Sequence, residues 1–318
     1  MTGTATTNCT GERVVDLWGV LAPVLTPFSE DLVPDAARLI VHCRWLLGQG
    51  CGGLAVFGTT SEANSLSVEE RERLLERLLE SGIAPGALLV GTGCCALTDT
   101  VRLTAFAVRR GCAGVLLLPP FYYKGVTDDG LYRSYAEVIE RVGDSRLRVY
   151  LYHIPPVSQI GLGVELIERL VRSYPGLVVG MKDSSGDFGN TRQVHERLGS
   201  MGFRVFVGTE RFLLANLRAG GVGCITSTAN VNPAALARLS REWQGARAEH
   251  LQEEVNVIRQ AIERYPVIAA LKAVLAHHTS DPGWRMLRPP LTELSRPDEG
   301  RLLDELERHG FTMPGLPA

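Results

Sequence analysis

The fold is decided by the stretch from residue 53 to residue 92, which reads GLAVFG at 53–58, VEERERLLERLLE at 68–80 and LLVGT at 88–92. The first and last runs are short and apolar throughout, which is typical of strands covered on both faces. The middle run has the spacing of an amphipathic helix, and Ser67 just before it is a predicted N-cap. The stretch therefore predicts a strand–helix–strand unit with parallel strands.

The same alternation continues on both sides of this unit. Six further apolar runs predict strands at 19–28, 114–119, 148–154, 178–182, 204–208 and 221–226. Helical patterns follow at 98–110, 129–141, 164–173, 190–198 and 233–243, with predicted N-caps at Thr98 and at Asp128 or Asp129. Eight such repeats favour an α/β fold of the (β/α)8 TIM-barrel type. An open doubly wound sheet is disfavoured, because TPFSED at 26–31 is not a nucleotide fingerprint.

The barrel does not account for the whole chain. We expect the barrel, as a catalytic domain, to cover residues 15–243. Residues 244–318 carry further helical patterns at 246–264, 267–277 and 297–309. Since no low-complexity linker precedes them, we expect a helical extension packed on the barrel rather than an independent domain.

Composition excludes several classes of function. The chain has 318 residues, of which 45% are hydrophobic, and its 33 basic and 35 acidic side chains leave a net charge of −2. Without a basic excess, neither nucleic acid nor an anionic membrane surface is an expected partner. No apolar run approaches the roughly 18 residues of a membrane helix. The N-terminal residues lack the pattern of a signal peptide, so we expect a cytoplasmic protein.

The cysteines and histidines do not indicate a metal site. There is no CxxC pair and no HExxH motif. The sequence predicts no metal, and the cysteines are interpreted as small buried hydrophobic residues in a reducing compartment. They lie at positions 9, 43, 51, 94, 95, 112 and 224.

Lysine is scarce in this chain. Of the 33 basic residues, 30 are arginine, and the three lysines are Lys124, Lys182 and Lys272. Genome base composition can produce such a bias. However, a guanidinium stays protonated and is a poor nucleophile, so a retained lysine is a candidate for amine chemistry. We expect Lys124 to face solvent in its loop and Lys272 to have a structural role in its helix.

Catalytic groups of a TIM barrel lie at the carboxyl ends of its strands. The segment GTTS at 58–61 offers N–H and hydroxyl groups to a carboxylate, although such residues are also common in turns. Tyr152 either shuttles a proton or packs at the rim. Lys182 ends a buried strand, where desolvation favours the neutral amine that attacks a carbonyl. Its alternatives are to reach solvent or to pair with Asp183.

Four motifs occur in a characteristic order: GTTSE at 58–62, YHIP at 152–155, GMKDSSGD at 180–187 and GGVGCITSTAN at 220–230. On these motifs the chain, over roughly residues 15–300, resembles the dihydrodipicolinate synthase / N-acetylneuraminate lyase family of class I pyruvate-dependent aldolases. The resemblance implies a barrel with C-terminal helices and an imine between a lysine and pyruvate or another 2-keto acid. Because the imine joins the substrate directly to the enzyme, the resemblance implies no cofactor. It also implies a homotetramer or homodimer.

The resemblance also implies roles for individual residues. Lys182 matches the Schiff-base lysine and Tyr152 the proton-relay tyrosine. Thr59 and Thr60 match the pair that binds the substrate carboxylate, and Thr60 also relays protons to Tyr152. Two further positions, Gly208 and Ile225, match residues that line the pyruvate end of the site. Tyr122 or Tyr123 matches a loop tyrosine that reaches the site of a neighbouring subunit.

Departures from the family pattern bear on the substrate. Synthases carry an arginine two residues past the proline of the YxxP motif, where it binds the carboxylate of aspartate semialdehyde, whereas this chain has Val157. Valine cannot bind a carboxylate. His153 replaces an asparagine and either supports or alters the site. Glu210 and Ser227 fall where lyases bind sugar hydroxyls, although Glu210 is equally well explained as a helix cap or a partner of Arg211.

These observations predict a Schiff-base-forming lyase, either an aldolase or a dehydratase, that acts on pyruvate or a 2-keto acid such as a keto-deoxy sugar acid. One alternative is 4-hydroxy-tetrahydrodipicolinate synthase, which condenses pyruvate with aspartate semialdehyde. The other is a non-catalytic sensor or scaffold that has kept the barrel.

Overall fold

The computed structural model describes residues 6–7, 13–14 and 17–317. Thr6–Thr7 and Arg13–Val14 form a short antiparallel pair. Cys9 and residues 15–16 of the predicted barrel domain lie outside the described residues.

Eight parallel strands form a closed barrel in chain order, which confirms the predicted (β/α)8 fold. Almost every strand residue is buried, as the apolar runs predict. The strands are β1 Gly19–Ala22, β2 Gly53–Val56, β3 Leu88–Gly91, β4 Gly114–Leu117, β5 Val149–His153, β6 Val178–Asp183, β7 Arg204–Val207 and β8 Gly223–Ile225.

The helices follow the strands and extend to the C-terminus. They are α1 Ala36–Gly48, α2 Val68–Glu80, α3 Leu97–Arg109, α4 Asp128–Val142, α5 Pro155–Ser158, α6 Val164–Ser173, α7 Phe188–Leu198, α8 Leu213–Arg218, α9 Pro233–Glu242, α10 Ala248–Ile262, α11 Val267–His278 and α12 Arg296–Arg308. Most lie within two residues of the predicted bounds, but α1, α5 and α8 were not predicted. None of the described helices is long and apolar enough to cross a membrane.

The described chain forms two compact units. One contains residues 84–225 and therefore β3–β8, and the other contains residues 19–83 with residues 226–317. The predicted division into a barrel domain at 15–243 and an extension at 244–318 stays a prediction.

The first predicted strand is shorter than its apolar run. Strand β1 ends at Ala22, because Pro23 has no N–H to donate to a ladder. The buried segment after it is satisfied by Asn230, whose Oδ1 accepts from Leu25 N at 3.0 Å and whose Nδ2 donates to Pro23 O at 2.9 Å. His42 Nε2 lies 3.1 Å from the same Oδ1.

One of the predicted helix caps is confirmed and two are wrong. Ser67 caps α2 in a complete capping box with Glu70. Thr98 does not cap α3, which begins one residue earlier without a side-chain cap. In α4 the cap is Thr127, so Asp128 and Asp129 lie in the first turn instead, where their charge still favours the helix dipole.

The cysteines are more exposed than predicted. Cys43, Cys51 and Cys224 are buried, but Cys94 and Cys112 are half-buried and Cys95 is exposed. The interpretation of these residues as buried hydrophobes is therefore wrong for Cys95, because it lies in the loop that leaves β3 rather than in the barrel core.

Candidate active site

Lys182 and Tyr152 meet at the carboxyl ends of neighbouring strands. They are register partners on β6 and β5, so their side chains point to the same face. Lys182 Nζ lies 3.2 Å from the Tyr152 hydroxyl and 4.4 Å from the centre of its ring. Both side chains are buried, with 6% and 3% of their surface exposed. Lys182 thus neither reaches solvent nor pairs with Asp183.

Two aromatic rings lie on the strands around this pair. Tyr150 precedes Tyr152 by two residues on the same face, and its ring centre is 6.0 Å from that of Phe206. A Cβ at Gly180 would stand 2.8 Å from the Tyr150 ring and 2.4 Å from the carbonyl oxygen of Arg204. Glycine at 180 therefore leaves room for the Tyr150 ring.

The residues that follow the pair point to the opposite face. Asp183 is buried, and its carboxylate accepts from Ser185 N, Asn190 Nδ2 and Thr191 Oγ1 at 2.7–2.9 Å. Those bonds tie the end of β6 to the start of α7. The carboxylate thus supports the strand end that carries the lysine, a role that sequence reasoning missed.

The side chain of His153 points to the opposite face of β5 from that of Tyr152 and supports the structure there. Its Nδ1 accepts a hydrogen bond from Leu162 N at 3.0 Å, so that nitrogen carries no proton. Burial lowers the pKa of His153, an effect that the negative charge of Asp183 opposes. The neutral ring therefore holds the segment after α5 against the end of β5.

Two further predicted residues end neighbouring strands in the same unit. Gly208 follows β7, and a Cβ there would come 1.9 Å from the Ser184 hydroxyl, so no other residue fits without a shift. Ile225 is the last residue of β8 and is fully buried. Glu210, 1% exposed, lies in the short turn after β7.

The loop after β4 carries the two predicted tyrosines. Tyr122 and Tyr123 are 73% and 75% exposed and pack edge to face. Lys124 lies on the surface as predicted, but its Nζ donates to the carbonyl oxygens of Phe121 and Ser158, the latter at 2.8 Å. The ammonium thereby connects this loop to α5.

In the other unit, Thr59 and Thr60 lie in a tight turn after β2. Thr59 is exposed and Thr60 half-buried. Ser61 N donates to Gly58 O and Glu62 N to Thr59 O, both at 3.1 Å. The turn leaves two hydroxyl side chains outside the core, where a small anion can reach them.

Ser227 begins the turn that follows β8. Its hydroxyl accepts from Arg259 Nη1 at 3.3 Å, and Arg259 also binds Glu263 at 3.0 Å. The arginine comes from α10, a contact that sequence reasoning did not predict.

The described residues hold no group of three His, Cys, Asp or Glu side chains that could bind a metal ion. That the protein works without a metal stays a prediction.

A model of the dihydrodipicolinate synthetase family matches residues 16–308. The chain belongs to this family. Its members are class I aldolase-type lyases, and the chain is a lyase of the dihydrodipicolinate synthetase family.

Individual relatives agree with the family. The chain is 32% identical over 292 residues to a DapA-like lyase of Chloroflexus aurantiacus, covering 91% of this chain and 96% of that protein. It is 34% identical over 306 residues to the 4-hydroxy-tetrahydrodipicolinate synthase of Thermus thermophilus, covering 92% and 96%.

Solved structures show the same fold. Dihydrodipicolinate synthase from Agrobacterium tumefaciens superposes with a TM-score of 0.85 at 30% identity, covering 92% of this chain and 99% of that chain. YagE from E. coli K12, a prophage protein of the same family solved in complex with pyruvate, gives a TM-score of 0.85 at 25% identity, covering 93% and 99%.

Proposed function

We propose that the enzyme forms an imine between Lys182 and pyruvate or another 2-keto acid. The observation that carries the proposal is the buried pair of Lys182 Nζ and the Tyr152 hydroxyl, 3.2 Å apart at the strand ends. A buried amine beside a phenol combines a nucleophile with a proton carrier. The complex of the structural relative YagE with pyruvate supports the choice of substrate.

The chemistry follows from these two side chains. The ε-amine of Lys182 attacks the ketone carbon, and a proton moves from its nitrogen to the ketone oxygen to give a carbinolamine. The carbinolamine then loses water to give an iminium ion. Tyr152 supplies the proton that leaves with that water and later moves protons to and from the reacting groups. The iminium nitrogen accepts the electron pair that is released at the carbon bonded to the imine carbon. The reaction therefore needs neither a metal nor an organic cofactor.

The other predicted residues have supporting roles in this proposal. Thr59 and Thr60 bind the carboxylate of the 2-keto acid, and Thr60 relays protons for Tyr152. Gly208 and Ile225 line the pyruvate end. The apolar side chain at 225 suits the methyl end of pyruvate.

For the second half of the substrate we propose a polyhydroxylated chain, as in a keto-deoxy sugar acid, bound by Glu210 and Ser227. Val157 is 63% exposed and has no donor for a carboxylate, which disfavours aspartate semialdehyde. The names of several relatives favour 4-hydroxy-tetrahydrodipicolinate synthase as the second candidate.

We also propose a cytoplasmic homotetramer or homodimer in which Tyr122 or Tyr123 reaches a neighbouring subunit. The exposure of both rings supports this proposal, because large aromatic side chains are enriched in interfaces. Sedimentation of the purified protein tests it. A dimer or tetramer that dissociates when both tyrosines are changed to Ala is expected, and a monomeric wild type contradicts it.

A substrate screen tests the function. The protein is incubated with a series of 2-keto acids, keto-deoxy sugar acids, and pyruvate with aspartate semialdehyde, and pyruvate release or consumption is measured. We expect turnover of a sugar acid and its loss in both Lys182→Ala and Lys182→Arg, since arginine keeps the charge without the nucleophile. Condensation with aspartate semialdehyde alone favours the synthase, and binding without any turnover favours a sensor.

A further inference from the structure

The turn that carries Thr59 and Thr60 is held in an uncommon backbone conformation. Phe57 before it and Glu62 after it have φ angles of 59° and 56°, in the left-handed region that residues other than glycine seldom adopt. Such conformations persist only where surrounding contacts fix them, and they concentrate at functional sites. The contacts that fix Glu62 are therefore of interest.

A buried ion pair holds the side chain of Glu62. Lys272 Nζ lies 2.5 Å from Glu62 Oε1, and neither side chain has any exposed surface. The second oxygen, Oε2, accepts a hydrogen bond from Arg288 N at 3.2 Å. Lys272 Nζ donates in addition to the carbonyl oxygen of Met286 at 2.7 Å. Both carboxylate oxygens and the ammonium are thus bound to the C-terminal part of the chain.

The main chain of Glu62 transmits this anchoring to the turn. Its N–H closes the turn by donating to Thr59 O, and its carbonyl oxygen accepts from Ser65 N at 2.8 Å. The Thr26 hydroxyl donates to Ser61 O at 2.7 Å and fixes the residue before it. A shift of Glu62 consequently changes where Thr59 presents its hydroxyl and its N–H.

Stability alone is a weak reason for such a pair. Burying two charges costs several kcal/mol each, and apolar side chains of similar volume often stabilise a protein as well or better. Burial indeed lowers the pKa of Lys272 to about 8, against the attraction of Glu62. What an ion pair supplies and apolar packing does not is one directional geometry for the groups it connects.

We propose that Lys272 and Glu62 are a positioning pair that sets how tightly the Thr59–Thr60 turn binds the carboxylate of the 2-keto acid. The proposal rests on the proposed function of that turn. It makes helix α11, which carries Lys272, part of substrate recognition, although neither residue of the pair touches the substrate.

The test replaces both charges together. In Glu62→Leu with Lys272→Met no unpaired charge remains, but Arg288 N and Met286 O each lose a hydrogen-bond partner, so the protein is expected to fold with a lower thermal midpoint than the wild type. The KM for pyruvate should rise about 10–100-fold, the range that a small misplacement of a binding group produces. The kcat should fall by a smaller factor than KM rises, because carboxylate binding acts on bound substrate and transition state alike and only the proton relay through Thr60 acts on the transition state.

A matched control uses another ion pair of the same unit. Arg264 and Glu305 are 2.8 Å apart, and they join the residues just after α10 to α12. Arg264→Met with Glu305→Leu should leave KM within about twofold of the wild type, since this pair binds neither the Thr59–Thr60 turn nor the 286–288 segment that anchors Glu62 and Lys272. A rise in KM in this control as large as in the Glu62–Lys272 variant would overturn the proposal.

A second variant covers the case in which the double variant does not fold. In Glu62→Asp the charge that balances Lys272 is kept, but the side chain is one methylene group shorter, so the main chain must move for the carboxylate to reach both Lys272 Nζ and Arg288 N. A KM that rises by a larger factor than kcat falls supports the proposal, and a wild-type KM in either folded variant overturns it. Failure of the wild type itself to turn over any 2-keto acid refutes the proposed function instead.

Discussion

Removal of the Tyr152 hydroxyl oxygen separates the two roles proposed for Lys182 and Tyr152, which are nucleophilic attack by the amine and proton transfer by the phenol. Tyr152→Phe keeps the ring that lies 4.4 Å from Lys182 Nζ and deletes only the hydroxyl, 3.2 Å from the amine. The amine remains, so the imine with pyruvate should still form, but more slowly, because Tyr152 supplies the proton for the loss of water. Proton transfer should suffer, and general acid–base assistance is worth about 10²–10⁴-fold, or roughly 3–5 kcal/mol in the barrier.

The stability effect should be smaller than the catalytic one. Lys182 loses a buried partner, which costs about 1–3 kcal/mol in the free energy of unfolding. Urea unfolding measures this loss, and steady-state kinetics with the substrate found in the screen measures kcat.

Tyr135→Phe is the matched control. Tyr135 is also buried in this unit, but its hydroxyl makes only a 3.4 Å contact with Leu117 O, and burial raises its pKa well above the usual value of a phenol. Its kcat should equal that of the wild type. A kcat of Tyr152→Phe within about threefold of the wild type, against the expected 10²–10⁴-fold loss, refutes the proton-transfer role.

Three further predictions concern stability. Burial lowers the pKa of His42 to about 4, so the unfolded chain binds a proton at this residue below pH 6.5 that the native chain does not. The contribution of the neutral His42 to the free energy of unfolding is present above pH 6.5 and is lost as the pH falls towards 4. The loss, measured by urea unfolding at several pH values, should reach about 3 kcal/mol, and His42→Gln should make the free energy of unfolding depend less on pH in this range. Gly208→Ala brings a Cβ against Ser184 and should cost about 1–3 kcal/mol by calorimetry, whereas an unchanged midpoint contradicts the close contact. Ser67→Ala removes half of the capping box and should lower the free energy of unfolding by about 0.5–2 kcal/mol, with an unchanged value speaking against the cap.

The barrel was predictable because the strand–helix pattern repeats eight times, so an error in one element does not change the predicted fold. Helix α1 was missed although its buried residues recur with helical spacing. Two of them are His42 and Cys43, which a search for aliphatic stripes does not count. Helix α5 has four residues, too few for any periodicity to appear.

Within the candidate site, local sequence predicted what lies at a strand end but not what holds it there. Lys182 and Tyr152 are visible because each ends an apolar run. The partners of Asp183 and Glu62 are not, since Lys272 is 210 residues away from Glu62 along the chain. The scarcity of lysine pointed to Lys272 as a residue of interest, but only the structure shows that its partner is the carboxylate of Glu62.

Covalent trapping tests the central claim most directly. The wild-type protein is incubated with pyruvate and sodium borohydride, digested, and examined by mass spectrometry at the peptides that contain Lys124, Lys182 and Lys272. A reduced pyruvyl adduct on Lys182 alone, absent from Lys182→Arg, is the predicted result. An unmodified Lys182, or an adduct on one of the other two lysines instead, contradicts the account.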